Sequence, residues 1–236
     1  MTSIYSEISA SISRGEKLLC ILIDPEKFEN DKAEAFLKRM PKNVNYLLVG
    51  GSTATAQQTG ETVKALKRHS DLPVILFPGS HEQITEEADG ILFLSLLSGR
   101  NPEYLIGQHI KSVPRLRFSN LEVLPTAYIL VDGGKESAVQ RVSETIPIAQ
   151  CELKLISETA LAGEFSGKKL VYLEAGSGAK KAVGSSIISE VKSAVSIPVM
   201  VGGGIRSAKQ LQQAYDAGAD MVVIGTAFED NTFVQL

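Results

Sequence analysis

The sequence of 236 residues has no tryptophan, only two cysteines and only three histidines. Cys20 and Cys151 stand in apolar contexts without a CxxC pair. We therefore expect two buried thiols in a reducing compartment rather than a disulfide or a redox site. The histidines (His69, His81 and His109) are scattered, and no His/Cys/Asp cluster has the spacing of a transition-metal site.

Long apolar runs and a strong net charge are also missing. No run approaches the roughly 18–20 apolar residues that span a bilayer, and the polar N-terminal segment lacks the apolar core of a signal peptide. The 24 Lys+Arg against 27 Asp+Glu give a net charge of −3, which argues against nucleic-acid binding through global positive charge. We expect one globular, cytoplasmic domain over residues 1–236, with no nucleic-acid partner.

Short apolar runs recur along the chain, and most are continuous rather than alternating. That pattern is typical of parallel strands covered on both faces. Amphipathic segments separate several of them, so the order predicts a (β/α)8 TIM barrel, with a doubly wound open sheet as the alternative. The predicted strands are 18–23, 46–49, 74–77, 91–97, 122–129, 170–173, 198–201 and 221–224. The predicted helices between them are 32–40, 61–70, 102–113, 137–144, 150–165 and 207–217.

One connection is much shorter than the others. Only 13 residues, 78–90, separate the third and fourth runs. Because a complete crossover with its helix needs at least about 10–12 residues, this connection leaves little room for a full helix. We expect the third outer helix to be missing or vestigial, which would leave a gap floored by apolar strand residues. A short helix with tight turns is the alternative.

Three strand ends in the last third of the chain are rich in glycine. They are Gly176-Ser177-Gly178, Gly202-Gly203-Gly204 and Gly225-Thr226. In a barrel these ends meet at the C-terminal face, where the loops after strands 7 and 8 commonly bind phosphate. Glycine lets backbone N–H groups approach an anion, and a following helix adds its positive dipole. The pattern predicts a phosphate site; tight βα turns are the simpler alternative.

A different chemistry follows the first two strands. Asp24 directly follows strand 1, and Gly50-Gly51-Ser52-Thr53 follows strand 2. A carboxylate beside a hydroxyl suits Mg²⁺, which takes one or two protein ligands plus substrate phosphates. A helix N-cap explains Asp24 equally well on position alone.

These motifs together resemble the geranylgeranylglyceryl phosphate synthase family, which includes heptaprenylglyceryl phosphate synthases, over almost the whole chain. The segments that carry the resemblance are LIDPEK at 22–27, VGGST at 49–53, VYLEAGSG at 171–178, VGGGI at 201–205 and IGT at 224–226. The resemblance implies a (β/α)8 prenyltransferase that lacks the third barrel helix. It would transfer a polyprenyl group, geranylgeranyl by default, from its diphosphate to the 3-hydroxyl of sn-glycerol 1-phosphate, making an ether phospholipid precursor.

The resemblance also implies the site residues. Mg²⁺ would be held by Asp24 and Ser52. The sn-glycerol 1-phosphate would be held by Tyr172, Leu173, Glu174, Ala175, Gly176, Ser177, Gly178, Gly203, Gly204, Gly225 and Thr226. Family members are commonly dimers or larger, so a homo-oligomer is expected. A lipid substrate could also bring the protein into transient contact with a membrane surface. The last residues, 231–236, leave room for about one turn of a final helix.

Asp24 and Glu174 are the predicted catalytic residues. Mg²⁺ on Asp24 would neutralise the diphosphate leaving group. Glu174 could remove the proton from the attacking hydroxyl or only orient the glycerol. Tyr172 could bond the ligand or simply pack.

Several features of the substrate groove stay open. The leucines at 92, 94, 96 and 97 could line a prenyl groove, although core packing explains them more simply. Tyr104 could gate its length, and either 20 or 35 carbons is chemically possible.

Two rival functions remain. One is a sugar-phosphate isomerase or aldolase, which often needs a catalytic lysine. Lys17 lies at the wrong end of strand 1 for that role and Lys27 lies four residues past the strand, while Asp132 would be the best alternative acid. The other is a non-catalytic glycerol-phosphate sensor or RNA-binding antiterminator, which the net charge disfavours.

Overall fold

The computed structural model describes residues 3–230, 232 and 233. Within them the strands form a closed parallel barrel in sequence order, with β8 paired to β1, so the barrel prediction is confirmed over the open sheet. The strands are β1 Leu18–Ile23, β2 Val44–Val49, β3 Val74–Leu76, β4 Gly90–Leu96, β5 Glu122–Leu130, β6 Leu170–Glu174, β7 Val199–Gly202 and β8 Met221–Ile224.

Alternation along each strand separates two apolar layers. Residues such as Leu48, Leu92 and Met200 pack inside the barrel. Their neighbours in sequence, such as Leu47 and Val201, pack outward in the layer that also contains helix residues. Because the barrel buries both faces of its strands, the runs read as continuously apolar.

Each predicted helical segment contains a helix. The helices are α1 Ile4–Ser13, α2 Ala33–Lys38, α3 Ala56–Lys67, α4 Gln108–Leu116, α5 Ala138–Ser143, α6 Leu153–Phe165, α7 Ser185–Ala194, α8 Ala208–Asp216 and α9 Thr226–Glu229. Of these, α1, α7 and α9 were not among the predicted helices. Helix α3 begins earlier than predicted because Thr55 and Gln58 form a capping box. The hydroxyl of Ser207 caps α8, and a π-helical turn, Glu103–Gly107, precedes α4.

The third outer helix is absent, as predicted. The connection from β3 to β4 contains only one short 3-10 turn, His81–Gln83. The outward-facing side of β4 is therefore left without the helix that would normally cover it. This gap forms one wall of a cavity at the C-terminal face of the barrel.

Helix α1 closes the opposite, N-terminal end of the barrel. Its buried side chains Ile4 and Ile8 belong to the inner apolar layer. The Glu122 carboxylate, at the start of β5, accepts hydrogen bonds from the Ser3 hydroxyl and from the Tyr5 backbone N–H. With this end filled, the cavity opens at the C-terminal face.

One expectation about the cysteines is wrong. Cys20 is buried on β1, where burial raises the pKa of its thiol to about 12, but Cys151 is exposed in the turn before α6. Both are free thiols. The apolar neighbours of Cys151 in sequence did not bury it, because the adjoining helix turns other residues toward the barrel.

In the described part of the chain, no helix combines the length and apolar character needed to cross a membrane. A four-residue helix, α9, follows β8. Of the predicted final turn at 231–236, residues 231 and 234–236 lie outside the described residues.

Candidate active site

A cavity of about 350 Å³ opens among the C-terminal ends of the strands. It has two polar corners joined to one apolar groove. The glycine corner consists of Gly176, Ser177, Gly178, Gly203, Gly204, Gly225 and Thr226; the acidic corner consists of Asp24, Lys27, Ser52 and Glu229; and the groove consists of Ile84, Ile91, Leu92, Phe93, Leu94, Leu96, Tyr104 and His109. All of these residues line the cavity.

The glycine corner brings together the ends of β6, β7 and β8. Four of its glycines have positive φ angles: Gly176 at 97°, Gly178 at 66°, Gly203 at 82° and Gly204 at 75°. Turns that contain such residues can point backbone N–H groups into a concavity that favours an anion. The Ser177 and Thr226 hydroxyls lie 2.9 Å apart across the corner. The predicted phosphate corner is thus assembled from three separate segments.

Gly203 shows why this corner needs glycine. A Cβ atom there would lie 2.5 Å from Glu174 Oε1 and 2.7 Å from the backbone N of Gly176. Any side chain would therefore collide with the neighbouring strand end, in addition to straining the backbone. Beside it, the Arg206 guanidinium donates to the Ala179 carbonyl at 2.7 Å and holds the loop after β6.

Two of the predicted substrate residues face away from the cavity. Leu173 and Ala175 are buried in the outer apolar layer, between strands and helices. Strand alternation explains this, because Tyr172 and Glu174 point inward and their neighbours must point outward. Leu173 and Ala175 can meet a ligand only through their backbone, and their role in binding stays a prediction.

Glu174 and Tyr172 lie where the glycine corner meets the groove. Glu174 is 5% exposed, and its Oε1 accepts the Gly176 backbone N–H at 2.6 Å. Burial raises the pKa of Glu174, and the nearby Tyr172 hydroxyl and the Gly176 N–H oppose that rise. The Tyr172 hydroxyl is buried without a hydrogen bond among the described residues. A buried carboxyl and an unpaired hydroxyl are both able to bond a ligand hydroxyl.

An aromatic cluster adjoins this pair. The Tyr172 ring centroid lies 5.4 Å from both Phe77 and Tyr128, and those two are 5.9 Å apart. The faces of aromatic rings attract positive charge. The cluster therefore provides an apolar surface that tolerates a developing cation.

The acidic corner lies at the ends of β1, β2 and β8. A Cβ atom on Gly51 would lie 2.7 Å from Asp24 Oδ1, so the residue before Ser52 approaches the carboxylate closely. Lys27 Nζ is 3.5 Å from Asp24 Oδ2. Glu229 Oε1 accepts the Asp24 backbone N–H at 2.8 Å, and burial raises the pKa of Glu229.

The N-cap alternative for Asp24 is not what the structure contains. Asp24 Oδ1 accepts the N–H of Glu26 at 3.1 Å within a turn, and the next helical segment begins only at Asn30. The carboxylate keeps one oxygen toward Lys27 and the cavity. No group of three or more His, Cys, Asp or Glu residues is placed to hold a metal within residues 3–230, 232 and 233, so an ion here would need ligands from a substrate.

The groove occupies the gap left by the missing helix. Phe93 and Ile91, on the uncovered side of β4, face it together with His109 of α4. The His109 ring stacks on Phe93 at 4.0 Å and its Nε2 lies 2.7 Å from the Leu94 carbonyl. Burial lowers the pKa of His109, so the groove is lined by an uncharged ring rather than a cation.

Three of the four leucines considered from the sequence belong to the apolar core and also line the cavity. Leu92, Leu94 and Leu96 pack in the inner layer and also line the cavity, whereas Leu97 packs outward. Tyr104 lines the groove, and its hydroxyl donates to the Val142 carbonyl at 3.2 Å. It therefore bridges the segment before α4 to α5.

Comparison with known proteins decides the family. A sequence model of the PcrB family matches residues 12–235. The chain belongs to the PcrB family. A relative from Zunongwangia profunda named geranylgeranylglyceryl phosphate synthase is 57% identical over 233 residues, covering 99% of this chain and 100% of the relative. One of the same name from Pyrococcus furiosus is 42% identical over 216 residues, covering 91% and 85%.

A solved member of the family has the same fold. The (S)-3-O-geranylgeranylglyceryl phosphate synthase of Thermoplasma acidophilum, in complex with its substrate sn-glycerol-1-phosphate, is 35% identical with a TM-score of 0.89. The match covers 97% of this chain and 92% of that one. The resemblance drawn from the sequence motifs is thereby confirmed.

Sequence reasoning missed four residues of the candidate site. Phe77 and Tyr128 form the aromatic cluster, Arg206 holds the glycine corner, and Glu229 bonds Asp24. Arg206 could have been found from the sequence, because it directly follows the Gly-Gly-Gly-Ile segment predicted to bind phosphate. The other three could not, because their partners are far away in sequence.

The buried carboxyl predicts a stability effect. A folded-state pKa above the unfolded value means that folding favours the protonated form, so stability falls as pH rises through that interval. We expect Glu174→Gln to unfold at a higher temperature than the wild type, with a larger difference at about pH 8 than at about pH 4.

The control is Glu190→Gln, an exposed carboxyl on α7, which should show no such pH-dependent gap. Thermal unfolding monitored by circular dichroism measures both. A Glu174→Gln advantage that is equal at the two pH values would contradict the assignment of a raised pKa.

Proposed function

We propose that the cavity binds sn-glycerol 1-phosphate at the glycine corner and a polyprenyl diphosphate along the groove, and joins them. The single observation that carries this is the meeting of an anion-binding corner and an apolar groove at Tyr172 and Glu174. As a PcrB family member with relatives named for this synthesis, the chain is a prenyltransferase. An ether bond forms between the glycerol 3-oxygen and the first prenyl carbon, whose bond to the diphosphate oxygen breaks.

Glu174 and Tyr172 act on the glycerol in this proposal. The 3-hydroxyl loses its proton as the ether forms, and the Glu174 carboxylate is the nearby acceptor. The Tyr172 hydroxyl, which lacks another partner among the described residues, supplies a hydrogen bond that orients the substrate. The aromatic cluster of Phe77, Tyr128 and Tyr172 faces the positive charge that builds on the prenyl carbon as the diphosphate leaves.

The acidic corner fits a magnesium ion. Asp24 would offer one carboxylate oxygen and Ser52, which lines the same cavity, its hydroxyl, and the rest of the coordination would be left to the substrate, as Mg²⁺ prefers. When bound, the ion supplies Lewis-acid neutralisation of the diphosphate leaving group. Lys27, 3.5 Å from Asp24, adds a second positive charge at the same corner.

The prenyl donor is proposed to be geranylgeranyl diphosphate, in keeping with the names of the relatives. The hydrogen bond from the Tyr104 hydroxyl to the Val142 carbonyl joins two segments that line the cavity. This contact supports a limit on the length of the prenyl chain that the groove accepts. A 35-carbon donor is the alternative, and it would need this hydrogen bond to break.

Two residues considered for rival functions, Lys17 and Asp132, lie outside the cavity. Lys17 bonds the Ala219 carbonyl at the N-terminal end of the barrel, away from the cavity. Asp132 is exposed and accepts the N–H of Gly134. Neither can serve as the lysine or the acid of an aldolase or isomerase in this cavity. A glycerol-phosphate sensor would use the glycine corner without the groove.

Assembly and location are part of the same proposal. Exposed apolar side chains Ile106, Ile110 and Val113 recur at helical spacing on the outward face of α4 and the turn before it. This stripe supports a homo-oligomer, which size-exclusion chromatography with light scattering tests. We also propose a cytoplasmic location, with transient contact at a membrane surface because donor and product carry a long apolar chain.

The first experiment is a turnover assay. Purified protein, Mg²⁺, radiolabelled sn-glycerol 1-phosphate and prenyl diphosphates from C15 to C35 are incubated, and label is measured in the organic phase. We expect transfer that EDTA abolishes and that is fastest with the C20 donor. Binding of sn-glycerol 1-phosphate without transfer to any chain would favour the sensor.

The variant Asp24→Asn tests whether the acidic corner and the glycine corner have separate functions. We expect turnover to fall on the order of 100-fold or more, since the leaving group loses its counter-charge, while sn-glycerol 1-phosphate still binds in calorimetry. Near-normal turnover of this variant at saturating Mg²⁺ would defeat the assignment.

Gly203→Ala tests the glycine corner. Its Cβ atom would displace Glu174 and the Gly176 N–H, so the affinity for sn-glycerol 1-phosphate should fall about tenfold or more. Gly15→Ala is the matched control: Gly15 has a similar φ of 78°, but a Cβ atom there meets nothing within 4 Å. It should lose stability and keep its affinity. Equal affinities for both variants would remove Gly203 from the site.

A further inference from the structure

Glu229 is an acidic side chain of the cavity to which the proposed reaction gives no role. It ends the four-residue helix α9, which begins at Thr226 in the glycine corner. Its Oε1 accepts the backbone N–H of Asp24 at 2.8 Å. This contact joins residues 205 positions apart in the chain.

The contact is made at the point where β1 ends. The N–H of Asp24 lies beyond the last paired residue of the strand, so it needs a partner outside the barrel ladder. Glu229 provides that partner from the side of β8. On the other side of Asp24, its carboxylate is engaged by the Glu26 N–H and approached by Lys27. The backbone and the side chain of Asp24 are thus held by different elements.

The same short helix also reaches the other corner. The hydroxyl of Thr226, its first residue, lies 2.9 Å from the Ser177 hydroxyl, and Glu229, its last, bonds Asp24. A single four-residue helix therefore connects the corner proposed for glycerol phosphate to the corner proposed for the metal.

We propose that Glu229 is a positioning residue that aims the Asp24 carboxylate at the metal bound with the diphosphate. It acts by accepting the Asp24 N–H, not by contacting either substrate. This inference rests on the magnesium role proposed for Asp24. Partners that orient a metal ligand commonly matter 10–100-fold for metal affinity.

Three variants test it. Glu229→Gln keeps the length and the acceptor oxygen, whereas Glu229→Met keeps the length and removes the acceptor. Asp230→Ala is the matched control, because Asp230 is the next acidic residue and is exposed. Thermal unfolding verifies that each variant folds.

The main readout is metal binding without turnover. Mn²⁺ is titrated into protein with inorganic diphosphate, and the free ion is measured by electron paramagnetic resonance. We expect Glu229→Met to bind Mn²⁺ about tenfold more weakly, with Glu229→Gln and Asp230→Ala within about twofold of the wild type. The Mg²⁺ concentration for half-maximal turnover should shift in parallel, while the affinity for sn-glycerol 1-phosphate without metal stays unchanged.

Two results would overturn the inference. One is unchanged Mn²⁺ binding in Glu229→Met; the other, which stands even if the methionine variant does not fold, is a loss in Glu229→Gln despite its acceptor oxygen. Asp24→Asn separates this from the larger proposal. If Mn²⁺ binding depends on Asp24 but not on Glu229, only the positioning role fails. If it does not depend on Asp24, the metal assignment fails as well.

Discussion

Closure of the barrel between β8 and β1 is the constraint on which the site depends. The pairing of Leu18 with Met221 through Ile21 with Ile224 places the first and last strands side by side. Only then does Asp24, after β1, meet Glu229, at the end of α9. An open sheet would leave these segments at opposite edges, and the acidic corner would not exist. The hydrogen-bonded pairing of β1 with β8 that closes the barrel therefore also assembles this part of the cavity.

The groove exists because the outer helix between β3 and β4 is absent. A barrel of this kind normally covers each strand with a helix, and the strand residues that face it are apolar for that reason. Where the connection from β3 to β4 shrinks to a 3-10 turn, Phe93 keeps its apolar character and is only partly covered, and the buried Ile91 lines the cavity beside it. A long hydrocarbon chain binds favourably to such exposed apolar surface, because contact removes both from water. The specificity proposed for a prenyl donor thus follows from the length of one loop.

The buried polar groups at the centre of the cavity, Glu174 and Tyr172, lower the stability of the folded protein. A buried carboxyl without a cationic partner opposes folding in its charged form, and the neighbours that favour the charge of Glu174 are the Tyr172 hydroxyl and the Gly176 N–H. The Tyr172 hydroxyl has no hydrogen bond among the described residues. Groups left unsatisfied in this way are typical of sites where a ligand completes the bonding. The packed layers of the barrel offset the cost.

Local patterns in the amino-acid chain were enough to predict the barrel, the absent third helix and most of the two corners. Continuous apolar runs, a 13-residue connection and glycines directly after strands are all readable without knowing what lies opposite. The partners that meet across the barrel emerged only on folding. The fold placed Phe77 and Tyr128 against Tyr172, turned Leu173 and Ala175 outward, exposed Cys151, and brought Glu229 to Asp24. Most of these contacts join segments distant in sequence, so their geometry is set by the closure and register of the barrel, and no local pattern encodes it.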